Sequence, residues 1–130
     1  ELVVPDSVTF IGFGAFEGCN NIQKVTLPFV GESRDKIAWK YHFGYIFGAT
    51  QNKHNNEKVP SVLTTVIVTD TKLVASYSFF YCSNITNITI KEGTEVIEQY
   101  AFKDCTKLSS ITLPSSLVSL YASTFENTAY

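Results

Sequence analysis

The chain has no methionine, one tryptophan, two histidines and three cysteines in 130 residues. Each scarcity closes off a class of chemistry. Two histidines leave little material for acid–base work near neutral pH, where imidazole is the side chain that titrates unperturbed. No Cys-x-x-Cys or His-x-x-x-His spacing occurs, so nothing points to zinc. Three cysteines are an odd number for a disulfide framework. No Gly-rich loop precedes a helix pattern, and no serine sits in a nucleophile elbow. We therefore expect no catalytic residue, no metal and no cofactor. A net charge of −2 gives no footprint for nucleic acid or an anionic membrane. Apolar runs last only a few residues, too short to span a bilayer. There is no signal-peptide pattern, and the chain opens at Glu1 in mid-pattern, as a fragment of a longer array would.

What is present is a period. Phe79, Phe102 and Phe125 fall 23 residues apart, and so do Cys82 and Cys105, Ile88 and Ile111, and Leu2 and Val25. A fixed period of about 20–29 residues is the signature of a leucine-rich-repeat solenoid. Such a stack buries its core between neighbouring coils, so each coil depends on the next.

Each unit reads the same way. A three-residue strand core has its outer members inward and its middle member outward, as pleating demands. A proline follows in several units (Pro5, Pro28, Pro114) and ends the strand by removing a ladder donor. A second inward pair comes next, Val8 and Ile11 in unit one. An Ala-Phe-x-x-Cys segment then turns the chain back, with Phe16, Phe79, Phe102 and Phe125 as the large inward plugs. The strand centres are Val3, Thr26, Ile67, Thr89 and Thr112. Five parallel strands at about 4.8 Å spacing make a sheet roughly 20 Å across. Threonine suits an exposed face of high β-propensity. Ile67 is the exception in that row, and we expect part of the neighbouring insert to cover it; the alternative is that Val3 and Ile67 mark an exposed binding face.

Cys19, Cys82 and Cys105 each lie three residues after a plug Phe. Two readings follow: a column of buried small side chains, or a bridge between Cys82 and Cys105 on adjacent coils.

After Pro28 the pattern fails until Leu63. Val25 to Val66 is 41 residues, and 41 − 23 leaves 18 extra, so residues 29–62 form an insert within the second repeat. Trp39, Tyr41, Phe43, Tyr45 and Phe47 alternate within it. Extended, all five rings would share one face as a platform for sugar rings or an anchor for a protein. Packed, they would close a small core of their own, and Gly44 and Gly48 favour a bend. His42, among these rings, reads as packed or surface-placed and not as a general base. Residues 51–58 form the most polar run, a solvated loop or a hydrogen-bonding rim. Residues 28–62 carry five cationic and three anionic side chains, giving +2 against −4 for the remainder, which reads as a mild solvated difference. Glu95 and Glu98 read as part of a solvated face. Asn84 and Asn87 begin formal glycosylation acceptors in or beside a strand.

The combined pattern L-x-x-I-x-I-P-x-x-V-x-x-I-x-x-x-A-F-x-x-C resembles the BspA-like leucine-rich repeats. Ile22–Pro28, Val8–Cys19, Ile85–Cys105 and Leu108–Phe125 carry it, over about three quarters of the chain. The segment 43–48, Phe-Gly-Tyr-Ile-Phe-Gly, is similar to an insert element of some members. The resemblance implies secreted or cell-surface proteins of mucosal bacteria and some mucosal protozoa, credited with adhesion, and it brings no catalytic residues.

The expected fold is one β-dominated, right-handed solenoid of about five coils spanning 1–130, with little helix. The expected function is non-catalytic recognition of a host or neighbouring-cell protein or glycan. The candidate ligand-binding residues are Trp39, Tyr41, Phe43, Tyr45, Ile67, Thr89 and Thr112. The alternative is a structural spacer that presents another domain. Uncapped end coils favour self-association.

Overall fold

The computed structural model describes residues 1–130. Eight strands of two to four residues are joined mostly by turns: β1 (Leu2–Val3), β2 (Lys24–Leu27), β3 (Thr65–Val68), β4 (Leu73–Val74), β5 (Asn87–Ile90), β6 (Val96–Ile97), β7 (Ser110–Thr112) and β8 (Ser119–Leu120). They form a five-stranded sheet, β1-β2-β3-β5-β7, and a three-stranded sheet, β4-β6-β8. Every pairing is parallel. The first sheet keeps one register: Val3, Thr26, Ile67, Thr89 and Thr112 are successive partners. Period-two alternation decides what is buried. Val25, Leu27, Val66, Val68, Ile88 and Ile90 point into the core, and the residues between them stay partly exposed. The second inward pair of the later units is the three-stranded sheet, with Val74 and Ile97 fully buried.

The turn side is organised by an aromatic column. Phe125 stacks on Phe102 at 5.5 Å between centroids, Phe102 on Phe79 at 5.4 Å, and Phe79 meets Phe43 at 5.2 Å. Phe43 then contacts Phe47 at 5.5 Å, and Phe47 contacts Phe16 at 6.5 Å. Two backbone positions make each turn possible. The residues two before and two after the plug Phe take a left-handed φ: Gly14 and Gly18 around Phe16, Tyr77 and Tyr81 around Phe79, Tyr100 and Asp104 around Phe102, and Asn127 after Phe125. Glycine fills both positions freely in the first unit. The tyrosines hold the same conformation against a steric cost of about 1–2 kcal/mol per residue.

The expected column of three buried cysteines is only two deep. Cys82 and Cys105 are buried, but Cys19 is exposed. Cys82 and Cys105 are free thiols and not a bridge, and the Cys105 Sγ–H donates to the Phe79 carbonyl at 2.9 Å.

The insert replaces the missing half of the second coil. Phe29 and Val30 continue the core, and the Glu32 carbonyl accepts from Ile11 N at 2.9 Å. Residues Phe43–Phe47 form a short 3-10 helix, ended by Gly48 at φ 96°. Phe43 N donates to Ser78 O at 2.7 Å and Phe16 N to Ile46 O at 2.8 Å, the bonds that ordinary coils make to one another at the plug position. The 3-10 helix thus places two rings where a regular coil places one.

The polar run is not a solvated loop. It folds as a 3-10 turn, Asn52–His54, and one helical turn, Asn55–Lys58. Asn55 is fully buried. Its Oδ1 accepts from Gly44 N at 2.9 Å and its Nδ2 donates to Phe80 O at 2.8 Å. A Cβ on Gly44 would lie 2.4 Å from that Oδ1, so the approach needs glycine.

The charge difference between insert and repeats is a set of contacts and not a solvated imbalance. Arg34 pairs with Asp70 at 2.9 Å, Lys36 with Glu98 at 2.9 Å and Lys58 with Glu17 at 3.5 Å. Arg34 also donates to Asp70 O, Val8 O and Asp6 O, and its guanidinium sits over the Phe29 ring at 5.3 Å.

Candidate ligand-binding surfaces

Register alone builds the first surface. Val3, Thr26, Ile67, Thr89 and Thr112 point outward from the five-stranded sheet in one row. Val3 and Thr112 are exposed, while Thr26, Ile67 and Thr89 are half-buried. The insert's ion pairs and hydrogen bonds go to the strand ends, the second sheet and the plug turns, and Ile67 is half-buried like the threonines on either side.

The second surface lies on the insert. The alternating rings do not share a face, because the 3-10 helix turns successive side chains apart. Phe43, Tyr45 and Phe47 are buried, Tyr41 is half-buried, and Trp39 is 44% exposed. Of the four candidate rings on the insert, which need exposure to stack on a ligand, Phe43 and Tyr45 are buried and offer no face to one. Tyr45 instead acts as a post: its hydroxyl donates to Glu32 Oε2 at 2.7 Å, and burial followed by that bond pushes its pKa up to about 12. Trp39 rests against Tyr45 at 5.3 Å and against the edge of Phe13 at 6.0 Å.

His42 underlies the tryptophan. Its Nδ1 lies 2.6 Å from Trp39 O and its Nε2 2.7 Å from Ala49 O. Burial lowers its pKa below the usual 6.5, against the pull of those two carbonyls. The neutral ring donates to one carbonyl only, so the other faces its lone pair. This is a packed histidine and not a base open to a substrate.

Elsewhere, ionisable groups are tied into structure. Burial pushes up the pKa of Glu98, but the Lys36 ammonium and the Ser76 amide outweigh it and leave that carboxyl below its ordinary value. Glu98 is an anchor for the insert, not part of a solvated face. Burial drives the Cys82 thiol well up, and Cys105 up to about 12. Both are poor nucleophiles for that reason. Nowhere do three or more His, Cys, Asp or Glu side chains converge as metal ligands would.

Residues 1–40 and 63–130 match the BspA type leucine rich repeat region in six copies. The chain belongs to the BspA-type leucine-rich-repeat family. The matched repeats resume at Leu63, where Leu63 closes the core before β3, and they reach as far as residue 40, past the expected start of the insert. The matched residues of this BspA-type chain leave out 41–62, which contain the 3-10 helix, the polar turn and Asn55. Comparison with curated proteins and with solved structures found no match. The family is a protein-interaction repeat type, commonly surface-associated, and no helix of this chain is long and apolar enough to cross a membrane.

Sequence reading missed Phe13, Gln51 and Asn52 as neighbours of Trp39. Gln51 and Asn52 line one cleft with Ala38, Trp39, Tyr41 and His42. No spacing rule connects residue 13 to 39. Only the insert's return to the first plug turn does.

Proposed function

We propose that the chain is a non-catalytic binding module of a secreted or cell-surface protein. It recognises a protein or glycan through the outward strand row and the Trp39 side of the insert. The observation that supports this most is the outward row of β-branched side chains, half-buried to exposed, held in one register by five parallel strands. A parallel stack holds such a face rigid, so little ordering entropy is lost on binding. We read the stack as a right-handed solenoid of five coils, the second expanded by the insert.

One observation favours a spacer instead. Burial of Phe43, Tyr45 and Phe47 commits most of the insert's rings to internal packing. The two readings separate on the strand face. Thr89→Arg with Thr112→Arg places two large cations on the row. A binding module then loses retention on immobilised matrix proteins or glycans while its melting temperature holds. If retention is unchanged, and Trp39 emission also ignores every ligand, the spacer reading stands and the binding reading fails.

A further inference from the structure

We propose that the cleft beside Trp39 is a subsite for a neutral pyranose sugar. The inference rests on the binding-module reading and gives that module a ligand class. The cleft encloses about 290 Å3. That is the lower end of the range for small-ligand sites, near 300 Å3.

Three features of its walls define the ligand. The first is a rigid apolar face. The Trp39 indole is half exposed, yet Phe13 and Tyr45 support it, and Tyr45 is itself fixed by its bond to Glu32. An aromatic ring held this way offers contact area at low conformational cost. The C–H face of a sugar ring is flat and apolar enough to lie on it.

The second is a set of unengaged polar groups. The Trp39 Nε1–H, the Tyr41 hydroxyl and the side-chain amides of Gln51 and Asn52 make no hydrogen bond within the protein, although all four residues line the cleft. Amides and hydroxyls both donate and accept, as sugar hydroxyls do. A purely apolar ligand would leave them unpaired on desolvation.

The third is the absence of ionised side chains. No Lys, Arg, Asp or Glu lines this cleft, and burial holds His42 toward its neutral form. Nothing there would compensate a phosphate, sulfate or carboxylate on burial. The two larger grooves of the molecule differ on this point. One is lined by Arg34, Asp35, Asp70 and Lys72, the other by Lys53, Glu57 and Asp104. The Arg34 guanidinium is already engaged by Asp70, Val8 and Asp6.

Trp39 is the sole tryptophan, so its emission reads the site directly. The native chain is titrated with lactose, maltotriose and chitotriose up to about 10 mM, and with inorganic sulfate as the charged probe. Expected is a saturable change in emission with at least one neutral saccharide and none with sulfate. Gln51→Ala with Asn52→Ala keeps the reporter and should weaken that response about tenfold or more, with an unchanged melting temperature. Trp39→Phe, followed by calorimetry, should retain weaker binding to the same saccharide. No response to any of the three sugars overturns the inference, and so does a response that the double variant leaves intact. Retention on immobilised, deglycosylated matrix proteins is measured in parallel. Retention there without a sugar response overturns the sugar subsite alone. Absence of both overturns the binding module with it.

Discussion

Asn55 joins the insert to the repeats, and removing its side chain tests that role quantitatively. In Asn55→Ala two backbone groups lose their partners, the Gly44 N–H at 2.9 Å and the Phe80 C=O at 2.8 Å. The first is buried, so its loss carries a full desolvation penalty of about 1–3 kcal/mol. The second is only partly shielded and recovers some hydration. The amide volume adds a void that the tight approach of Gly44 leaves little freedom to close. Together these give about 2–4 kcal/mol, a large share of the 5–15 kcal/mol that holds an ordinary domain together. Urea unfolding, followed by far-ultraviolet circular dichroism for the repeats and Trp39 emission for the insert, should show the midpoint falling by about 1–2 M. The Trp39 transition should move at least as far as the global one.

Asn55→Asp makes the same case with a different signature. One carboxylate oxygen still accepts from Gly44 N–H, but the other meets the Phe80 carbonyl where an N–H had donated. The ionised form is therefore disfavoured in the folded state, and the folded pKa rises above the unfolded value near 3.9. A group with a raised folded pKa contributes stability below its unfolded pKa and loses it as pH rises through the folded one. Measured against the native chain at each pH, Asn55→Asp should be most destabilised near neutrality and recover in acid. A loss under about 0.5 kcal/mol in Asn55→Ala, or no acid recovery in Asn55→Asp, would refute the bridging role.

Native-state titration with an aromatic disulfide reagent should modify one thiol quickly, Cys19, and release the other two only on unfolding, since Cys82 and Cys105 are buried with raised pKa values; two fast thiols would contradict this burial. Glu98 has a lowered folded pKa through Lys36 and Ser76, so its contribution is present above the unfolded value near 4.5 and is lost as pH falls through the folded one. Acid unfolding of the insert, read by Trp39, should then become less steep in Glu98→Gln. Ile67→Thr should change stability by no more than about 0.5 kcal/mol, because Ile67 is only half-buried and its register partners on both sides are already threonines; a much larger loss measured by thermal melting would mean a contact the register does not provide. The His42 ring should titrate by NMR with a midpoint below 6.5, and a midpoint above that would mean the two carbonyls outweigh burial.

The repeat frame was readable because a period of 23 puts the same side chain at the same height in each coil, and parallel pairing then follows. The strand centres of the sequence pattern are the register partners of the sheet. Less visible were the left-handed positions beside the plug phenylalanines. Gly14 and Gly18 carry that signal openly, but Tyr77, Tyr81 and Tyr100 hide it, since tyrosine is not a residue from which a positive φ is read. Packing outside the turn supports Tyr77 and Tyr100. Tyr77 stacks on Tyr100 at 5.4 Å, and Lys103 sits over the Tyr100 ring at 5.3 Å.

The insert was legible in part: its rings pack and its glycines bend the chain, but Phe43 and Tyr45 are lost as ligand contacts. Alternating rings at 39–47 fit a period of two, and a period of two implies one shared face only if the backbone is extended. Here the relevant spacing is four. Phe43 and Phe47 both enter the aromatic column, one toward Phe79 and one toward Phe16. The column accepts no gap, because each plug ring packs against the next and an empty layer would leave a cavity between coils. Once the second repeat lost its Ala-Phe-x-x-Cys turn, a nearby segment had to supply rings at that height, and a 3-10 helix with phenylalanines at both ends does so. The rings left over from that demand are Trp39, Tyr41 and Tyr45; Tyr45 is buried with its hydroxyl on Glu32, and of the other two only Trp39 lies substantially in solvent. Packing thus accounts for every ring of the row except the one that the repeats have no use for, and ligand binding is to be sought at that ring.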